Sequence, residues 1–281
     1  MNLPAEMVSY YGAGREHARL ITGAGRLEFL RTLNLIKRHA PKPPAHVLDV
    51  GGGAGIYSFE LAKQGYVVDL VDAIPIHIEQ ARANLEGALI HRMEVGDARS
   101  LDYPNNSFDL VLLLGPLYHL TDLEDRNKAL LEAKRVLRPG GTIIAAAISR
   151  YASLFDGYFR GFIKDPVFAQ IVDRDLTDGQ HHNPTDNPSY FTTTKFHTRR
   201  ELAAELIEAG LEDVRVFAVE GFGWLIPNLA QLDEAEVGQI LKYLEKVESE
   251  PELIGTSAHL LGIATKPGES WTASNPSINV H

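Results

Sequence analysis

The sequence predicts a doubly wound α/β fold: a seven-stranded, mostly parallel sheet with helices on both faces and an inserted lid. Short apolar runs alternate with segments of helical spacing through most of the chain. The run at 108–114 is apolar almost throughout, as is typical of a parallel strand buried on both faces. A glycine-rich turn at 51–55 joins the first apolar run to a helical segment. Strands that alternate with helices in this way form parallel sheets with right-handed crossovers.

The predicted elements follow in a regular order. A helix within 14–39 stops at the prolines that follow it. The spacing then predicts strands at 46–50, 66–71, 89–95, 108–114 and 142–148, with helices at 57–65, 75–86 and 121–137 between them. Two further strands, at 214–219 and 258–265, and two further helices, at 198–210 and 234–248, complete the pattern. The pairs Thr121/Glu124 and Thr198/Glu201 have the spacing of capping boxes at helix starts.

We interpret residues 1–265 as a single domain. Its parts are an N-terminal helical cap at 1–40, a lid insertion at 150–197 and a second insertion at 220–255, followed by a flexible tail at 266–281. The lid segment is rich in aromatic and polar residues and shows no clear period, and such long segments in compact domains are commonly binding loops. The tail contains the Pro, Gly, Ser and Asn residues typical of loose termini.

Composition excludes several classes of protein. The chain has no cysteine, which excludes disulfides, thiolate metal sites and cysteine nucleophiles and favours a cytoplasmic location. No apolar run approaches the roughly 20 residues of a membrane-spanning helix, and the first residues lack the pattern of a secretory signal. The formal net charge of -10 argues against a nucleic-acid partner, because phosphate binding requires a basic face. We therefore predict neither a membrane nor a nucleic acid as partner.

The informative motif is Val47-Leu48-Asp49-Val50-Gly51-Gly52-Gly53-Ala54-Gly55. Glycines in a strand-to-helix turn let the backbone approach a ligand, and the helix start offers unpaired N–H groups. The dinucleotide fingerprint G-x-G-x-x-G would need glycine at position 56, where this chain has Ile56, so an NAD-linked oxidoreductase is disfavoured. No Gly-Lys-Ser/Thr follows, which excludes a P-loop.

This motif resembles the first motif of the class I S-adenosylmethionine-dependent methyltransferases. The resemblance covers residues 46–148 closely and 198–265 in layout, and it implies a Rossmann-like sheet. It extends to Asp72 at the end of the second strand, to Gly96-Asp97-Ala98 and to the segment 135–141. It implies S-adenosyl-L-methionine as cofactor and in-line methyl transfer to O, N or C of a small-molecule acceptor. The alternative is a protein that binds the cofactor without transferring methyl, as a sensor or regulatory subunit.

The resemblance also implies a set of cofactor contacts. Asp72 would accept the ribose hydroxyls, Asp97 the adenine amino group, and the Ala98 N–H would meet a ring nitrogen. Asp49 would organise backbone N–H groups or hold the amino group of the cofactor. The remaining predicted cofactor residues are Gly51, Gly52, Gly53, Gly55, Ala73 and Leu114, together with Tyr11 and Arg15 of a segment that folds over the cofactor. Arg26 is an alternative to Arg15 as the partner of the cofactor carboxylate.

The acceptor side is predicted from the loop after the fourth strand and from the lid. Tyr118 would line the site, and His119 is either a base or, as we favour, a packing histidine. The predicted acceptor residues are Tyr151, Phe155, His181, Tyr190 and Trp224. We predict no metal site, because adjacent histidines such as His181 and His182 rarely bind one ion. A homodimer is left open.

Overall fold

The computed structural model describes residue 20 and residues 23–85 and 87–268. The strands are β1 (His46–Val50), β2 (Val67–Asp72), β3 (Arg92–Val95), β4 (Phe108–Leu113), β5 (Leu137–Ser149), β6 (Gln180–His181), β7 (Thr194–His197), β8 (Glu212–Ala218) and β9 (His259–Thr265). The α-helices are α1 (Gly23–His39), α2 (Ile56–Lys63), α3 (Pro75–Ala83), α4 (Pro116–His119), α5 (Leu123–Val136), α6 (Ala152–Phe159), α7 (Pro166–Asp178), α8 (Arg199–Glu208), α9 (Glu234–Val247) and α10 (Pro251–Ile254). No helix in these ranges is both long and apolar enough to cross a bilayer.

The sheet confirms the predicted fold class. Its order is β3-β2-β1-β4-β5-β7-β6, and β9 pairs antiparallel with both β5 and β8. Neighbouring strands from β3 to β5 are parallel. All seven predicted strands are present, but the predicted count of seven was wrong: β6 and β7 bring the sheet to nine strands within the described ranges. Both extra strands are short and come from the lid segment, where no period was visible.

The alternation along β4 shows how the core is divided. Leu110 and Leu112 belong to a cluster that contains residues of α1 and α2, whereas Val111 and Leu113 belong to a cluster that contains residues of α5 and α8. Successive side chains of a strand point to opposite faces, so the central strands are covered by helices on both sides. All four residues are fully buried. Burial of each such side chain contributes roughly 1.5–3 kcal/mol, which explains why the run is apolar almost throughout.

The lid segment contains more regular structure than the sequence indicated. It forms α6, α7 and the short strands, and β7 extends the sheet by pairing in parallel with the end of β5. The sequence does contain helix signals for α7. Asp165 is the N-cap, its side chain accepts a hydrogen bond from the Val167 N–H, and a proline follows it. Phe168, Ile171 and Val172 have helical spacing and form the buried face of the helix. The interpretation of 150–197 as a lid remains a prediction.

The two predicted capping boxes had different outcomes. The Thr198 side chain accepts a hydrogen bond from the Glu201 N–H, and the Glu201 side chain accepts one from the Thr198 N–H, as predicted. The box at Thr121 was wrong: α5 is capped at Asp122 without a side-chain bond, and Glu124 instead pairs with Lys128 at 2.9 Å. Spacing alone does not establish a box, because the same glutamate can pair one turn later with a lysine.

Candidate cofactor and acceptor site

The glycine-rich turn lies at the carboxyl ends of β1 and β2. Gly51, Gly53 and Gly55 have φ values of 73°, 58° and 88°, in the left-handed region that favours glycine. The Gly51 N–H donates to Val71 O at 2.7 Å. Chain order reverses between β1 and β4, and open α/β sheets bind ligands beside such a reversal.

A cavity of about 340 Å³ opens at this point. The predicted cofactor residues that line it are Gly51, Gly52, Gly53, Asp72, Ala73, Asp97, Ala98 and Leu114. Asp49 and Gly55 are described but do not line it, while Tyr11 and Arg15 lie outside the described residues. The alternative Arg26 is ion-paired with Glu234.

Asp72 holds the turn in place. Its Oδ2 accepts from the Gly53 N–H at 2.8 Å, and its Oδ1 accepts from the Ile74 N–H at 2.8 Å and contacts His77 Nδ1 at 3.0 Å. A carboxylate has about four lone-pair sites, so acceptor capacity remains for a ligand hydroxyl. The ribose contact itself stays a prediction.

Asp49 packs against Gly52 of the glycine-rich turn. It is fully buried, and its Oδ2 accepts from Ser58 Oγ at 2.7 Å. Its Oδ1 has no hydrogen-bond partner among the described residues. Burial raises the pKa of Asp49 to about 6, against the lowering effect of the Ser58 bond and with a further rise from the charge of Asp72. A Cβ built on Gly52 would lie 2.5 Å from Asp49 Oδ2, so this position requires glycine.

Sequence reasoning missed Arg99, which pairs with the predicted adenine ligand. The Arg99 guanidinium lies 2.7 Å from Asp97 Oδ2 and 2.5 Å from Asp125 Oδ2, and all three residues line the cavity. Burial acts to raise the pKa of Asp97, but the hydrogen bonds from Arg99 outweigh it and hold this pKa below its usual value. A ligand amino group at Asp97 would therefore share the carboxylate with Arg99.

Tyr118 and His119 lie on α4, directly after β4. Tyr118 Oη donates to Leu114 O at 3.0 Å, and both residues line the cavity. Burial lowers the pKa of His119 to about 4, with a raising contribution from Asp72 and a lowering one from His77. The ring is therefore neutral at pH 7 and a weak base. It packs edge-on against Tyr118 at 4.7 Å between centroids, which favours the packing role.

A second cavity of about 440 Å³ adjoins the first beneath α6 and α7. Three of the predicted acceptor residues, His181, Tyr190 and Trp224, line it, and their role in acceptor binding stays a prediction. Tyr151 and Phe155 do not: Tyr151 is 39% exposed, and Phe155 packs edge-on against Trp224 at 6.3 Å.

Polar atoms of the three lining residues are bonded to the protein. Trp224 Nε1 donates to Thr256 O at 2.7 Å, and Tyr190 Oη donates to Asp165 Oδ2 at 2.6 Å. His181 uses both ring nitrogens, with Asp175 Oδ2 and Tyr190 O each at 2.8 Å. These bonds fix the three rings, so they face the second cavity mainly as rigid apolar surfaces.

The two cavities share Glu28, Tyr118 and His259 in their linings. These residues come from α1, α4 and β9, which are far apart in the chain. Sequence reasoning missed Glu28 and His259 as site residues, because each lies in a stretch with an ordinary helix or strand pattern. The two cavities therefore adjoin at a shared boundary.

Comparison with known proteins identifies the family. A model described as a methyltransferase domain matches residues 48–145. A ubiquinone/menaquinone biosynthesis C-methyltransferase of Paracoccus denitrificans is 30% identical over 188 residues, which are 63% of this chain and 70% of that protein. The chain belongs to the S-adenosylmethionine-dependent methyltransferases.

Two further comparisons define how far the similarity extends. The Cereibacter sphaeroides enzyme of the same name is 32% identical over 152 residues, 50% of this chain and 59% of that protein. The alignment thus spans little more than half of that relative. A crystal structure of a S-adenosylmethionine-dependent methyltransferase from Thermotoga maritima matches with a TM-score of 0.59 at 20% identity. It covers 92% of this chain and 99% of the other, and it supports the Rossmann-like fold.

The first cavity fits the cofactor of this methyltransferase family. The cofactor carries a sulfonium and an ammonium group, and Asp72, Asp97, Asp125 and Glu28 line the cavity with Arg99 as their cationic counterpart. Open space lies where a side chain at Gly53 would project, so a ligand can approach that backbone closely. S-adenosyl-L-methionine is thus the family's cofactor, and the chain has residues suited to it.

Proposed function

We propose that this methyltransferase transfers a methyl group from S-adenosyl-L-methionine to a small molecule held in the second cavity. The observation that carries the proposal is the boundary at Glu28, Tyr118 and His259 that the two cavities share. In-line displacement requires the attacking atom, the methyl carbon and the sulfur to lie in a row, which adjoining compartments permit. Such positioning supplies roughly 7–11 kcal/mol of a barrier in well-aligned cases. The cofactor contributes an electrophilic methyl group on a positive sulfur.

The acceptor cavity favours a flat, partly apolar molecule. Aromatic rings of Phe168, Tyr190, Phe191 and Trp224 line it. The same lining contains ionisable side chains, those of Glu28, Asp156, Arg160, Glu220 and His259. Ring surfaces combined with a few placed polar groups are typical of small-molecule sites. The names of the relatives refer to quinone biosynthesis, which supports an aromatic or quinone-like ring as acceptor.

Calorimetry and a transfer assay test this proposal. We expect S-adenosylhomocysteine to bind, and its release from S-adenosylmethionine to depend on an acceptor from a panel of aromatic compounds. Trp224→Ala should reduce kcat/KM for the acceptor without changing S-adenosylhomocysteine affinity. Tyr158→Ala, at a 68% exposed ring on α6 outside the lining, is the matched control. Absence of S-adenosylhomocysteine binding would refute the proposal, and binding without turnover would favour the non-transferring alternative.

We also propose a cellular location and a set of partners for this protein. The lack of cysteine supports a cytoplasmic location, and the net charge of -10 supports the absence of a nucleic-acid partner. The homodimer that the sequence left open stays a prediction, which light scattering coupled to gel filtration would test.

A further inference from the structure

We infer that His259, oriented by Glu220, is the general base of this transfer and that the acceptor is attacked through a phenolic hydroxyl. The inference rests on the proposed function and adds to it a catalytic residue and a substrate class. A chain of hydrogen bonds from Ser257 through Glu220 to His259 lies at the boundary between the two cavities.

Glu220 is a buried carboxylate surrounded by donors. Its Oε1 lies 2.5 Å from His259 Nδ1, and its Oε2 accepts from the His259 backbone N–H at 2.9 Å and from Ser257 Oγ at 3.0 Å. An ionised carboxylate only accepts, so His259 Nδ1 carries the proton of this bond. The lone pair of the neutral ring is then on Nε2, the tautomer a general base needs.

Ser257 fixes the direction of this chain. The Gly221 N–H donates to Ser257 Oγ at 3.0 Å, so the serine hydroxyl directs its own proton to Glu220. Glu220 therefore has donors on both oxygens and is held as an acceptor. The carboxylate is 2% exposed, so solvent does not compete for these bonds.

The sheet, and not the lid, holds the imidazole. His259 is the first residue of β9, where it pairs with Ile148 of β5 and its carbonyl accepts from the Val219 N–H at 3.0 Å. Groups placed on strands keep their geometry better than groups on loops. The ring lines both cavities, where a base must be to reach an acceptor beside the methyl group.

Two carboxylates lie close to the His259 ring. Glu28 Oε2 of α1 lies 3.8 Å from its Nδ1, in addition to the bond from Glu220. Across the second cavity, Asp156 of α6 and Arg160, the residue that follows α6, form their own pair at 3.2 Å. Two carboxylates beside one ring stabilise the imidazolium that proton transfer creates. His119 differs, because burial lowers its pKa to about 4.

The transfer consists of one proton transfer and one displacement at the methyl carbon. His259 Nε2 takes the hydroxyl proton, and an electron pair of the acceptor oxygen forms the bond to the methyl carbon. The pair of the breaking carbon–sulfur bond returns to sulfur, which becomes neutral. The imidazolium then releases its proton to water, so the products are a methyl ether, S-adenosylhomocysteine and one proton.

The decisive experiment compares the wild-type protein with His259→Gln on a series of substituted phenols of graded acidity. The variant should lose roughly 10²–10⁴-fold in kcat on weakly acidic phenols, the usual contribution of a general base. The loss should shrink toward none for a phenol that is already ionised at the assay pH. S-adenosylhomocysteine affinity should stay within about twofold, since tenfold would mean about 1.4 kcal/mol of lost binding. His182→Gln, at an exposed histidine outside both linings, is the matched control.

A second measurement needs no acceptor. Long-range ¹H–¹⁵N spectra of the imidazole should show the Nδ1–H tautomer of His259 in the wild type, and Glu220→Gln should weaken that preference. Glu220 acts through His259 and is a positioning residue, so its variant should also shift the pH profile of transfer to weakly acidic phenols.

Other results would overturn the base assignment, the acceptor class or the proposed function. An Nε2–H tautomer, or an equal rate loss on every phenol, overturns the base assignment. Failure of a protein that binds S-adenosylhomocysteine to methylate any phenol overturns the hydroxyl acceptor. Because ligand atoms of Glu28, Glu220 and His259 lie within 4.8 Å of one another, loss of activity in EDTA with rescue by Mg²⁺ or Mn²⁺ would assign the cluster to a metal instead. Absence of S-adenosylhomocysteine binding refutes the proposed function as a whole.

Discussion

At the scale of single residues, identical chemical groups have different roles because their surroundings differ. Asp49 is the last but one residue of β1, Asp72 is the last residue of the neighbouring β2, and both are buried. Asp72 has N–H donors on both oxygens and lines the cofactor cavity. Asp49 has one hydroxyl donor and lies behind the turn, so burial raises its pKa. The strand pattern identified both acids, but their partners are set by the packed turn.

The raised pKa of Asp49 predicts a pH-dependent stability. Its value of about 6 exceeds the ordinary 3.8, so the folded state binds more protons than the unfolded chain between those values. The free energy of unfolding therefore falls as pH rises through this window, by about 3 kcal/mol for two pKa units. Asp49→Asn removes this loss, so its melting temperature relative to wild type should rise by roughly 5–10 °C between about pH 4 and pH 7.

Asp109 provides the opposite control. Burial acts to raise its pKa, but bonds from the His46 N–H and Arg138 outweigh it and lower the pKa below its usual value. Its contribution to stability is therefore present at neutral pH and lost as pH falls. Asp109→Asn should thus lose stability relative to wild type as pH rises, measured by the same thermal scans. Parallel trends in the two variants would contradict the burial argument.

Asp72 predicts a binding defect. Asp72→Asn replaces an acceptor of the Gly53 and Ile74 N–H groups with a side chain that also carries donors, and it removes the predicted ribose contact. Hydrogen bonds to charged groups contribute about 1.5–3 kcal/mol, so S-adenosylhomocysteine should bind roughly 10- to 100-fold more weakly by calorimetry. Asp102→Asn, at a 94% exposed carboxylate, should bind as wild type. Equal affinities in both variants would remove Asp72 from the cofactor site.

At the scale of elements, helix starts decide how the site-bearing loops are held. Helix α8 begins with a complete capping box, whereas α5 begins without a side-chain cap. The start of α5 is held differently: buried Arg126 donates to the carbonyls of Leu120 and Thr121 at 2.9 Å and binds Glu205 of α8. The loop after α4 therefore depends on a contact between two helices.

The two threonines give a matched pair of variants. Thr198→Ala removes the acceptor of the Glu201 N–H and should cost about 1 kcal/mol of unfolding free energy in urea titrations. Thr121→Ala removes a side chain without a capping bond and should change stability by less than about 0.5 kcal/mol. A larger cost at Thr121 than at Thr198 would contradict the capping geometry.

At the scale of the whole molecule, the reversal of strand order places the site. The chain runs from β1 outward to β3 and then returns beside β1 as β4, so the turn at 51–55 and the loop before α4 face each other. The antiparallel addition of β9 next to β5 brings His259 to the same edge. The positions of the two adjoining cavities are therefore consequences of sheet topology.

This arrangement predicts selective stabilisation by ligand. S-adenosylhomocysteine at about 100 times its Kd should raise the free energy of unfolding by about 2.7 kcal/mol, because it binds only the folded state. For a chain of this size the melting temperature should rise by roughly 5–10 °C. NAD at the same concentration should have no effect, since Ile56 stands where the dinucleotide fingerprint requires glycine. Stabilisation by NAD alone would reverse the cofactor assignment.

The linear order of residues was sufficient for the parallel strands, for the glycine turn and for Asp72 at the end of β2. These features are local or periodic, so burial and backbone strain mark them directly in the sequence. The folded chain alone shows that Arg99 pairs with Asp125 and that Glu220 contacts the His259 ring at the boundary of the two cavities. Such contacts depend on how separate elements pack, and no spacing along the chain encodes a distance between side chains that only the assembled sheet brings together.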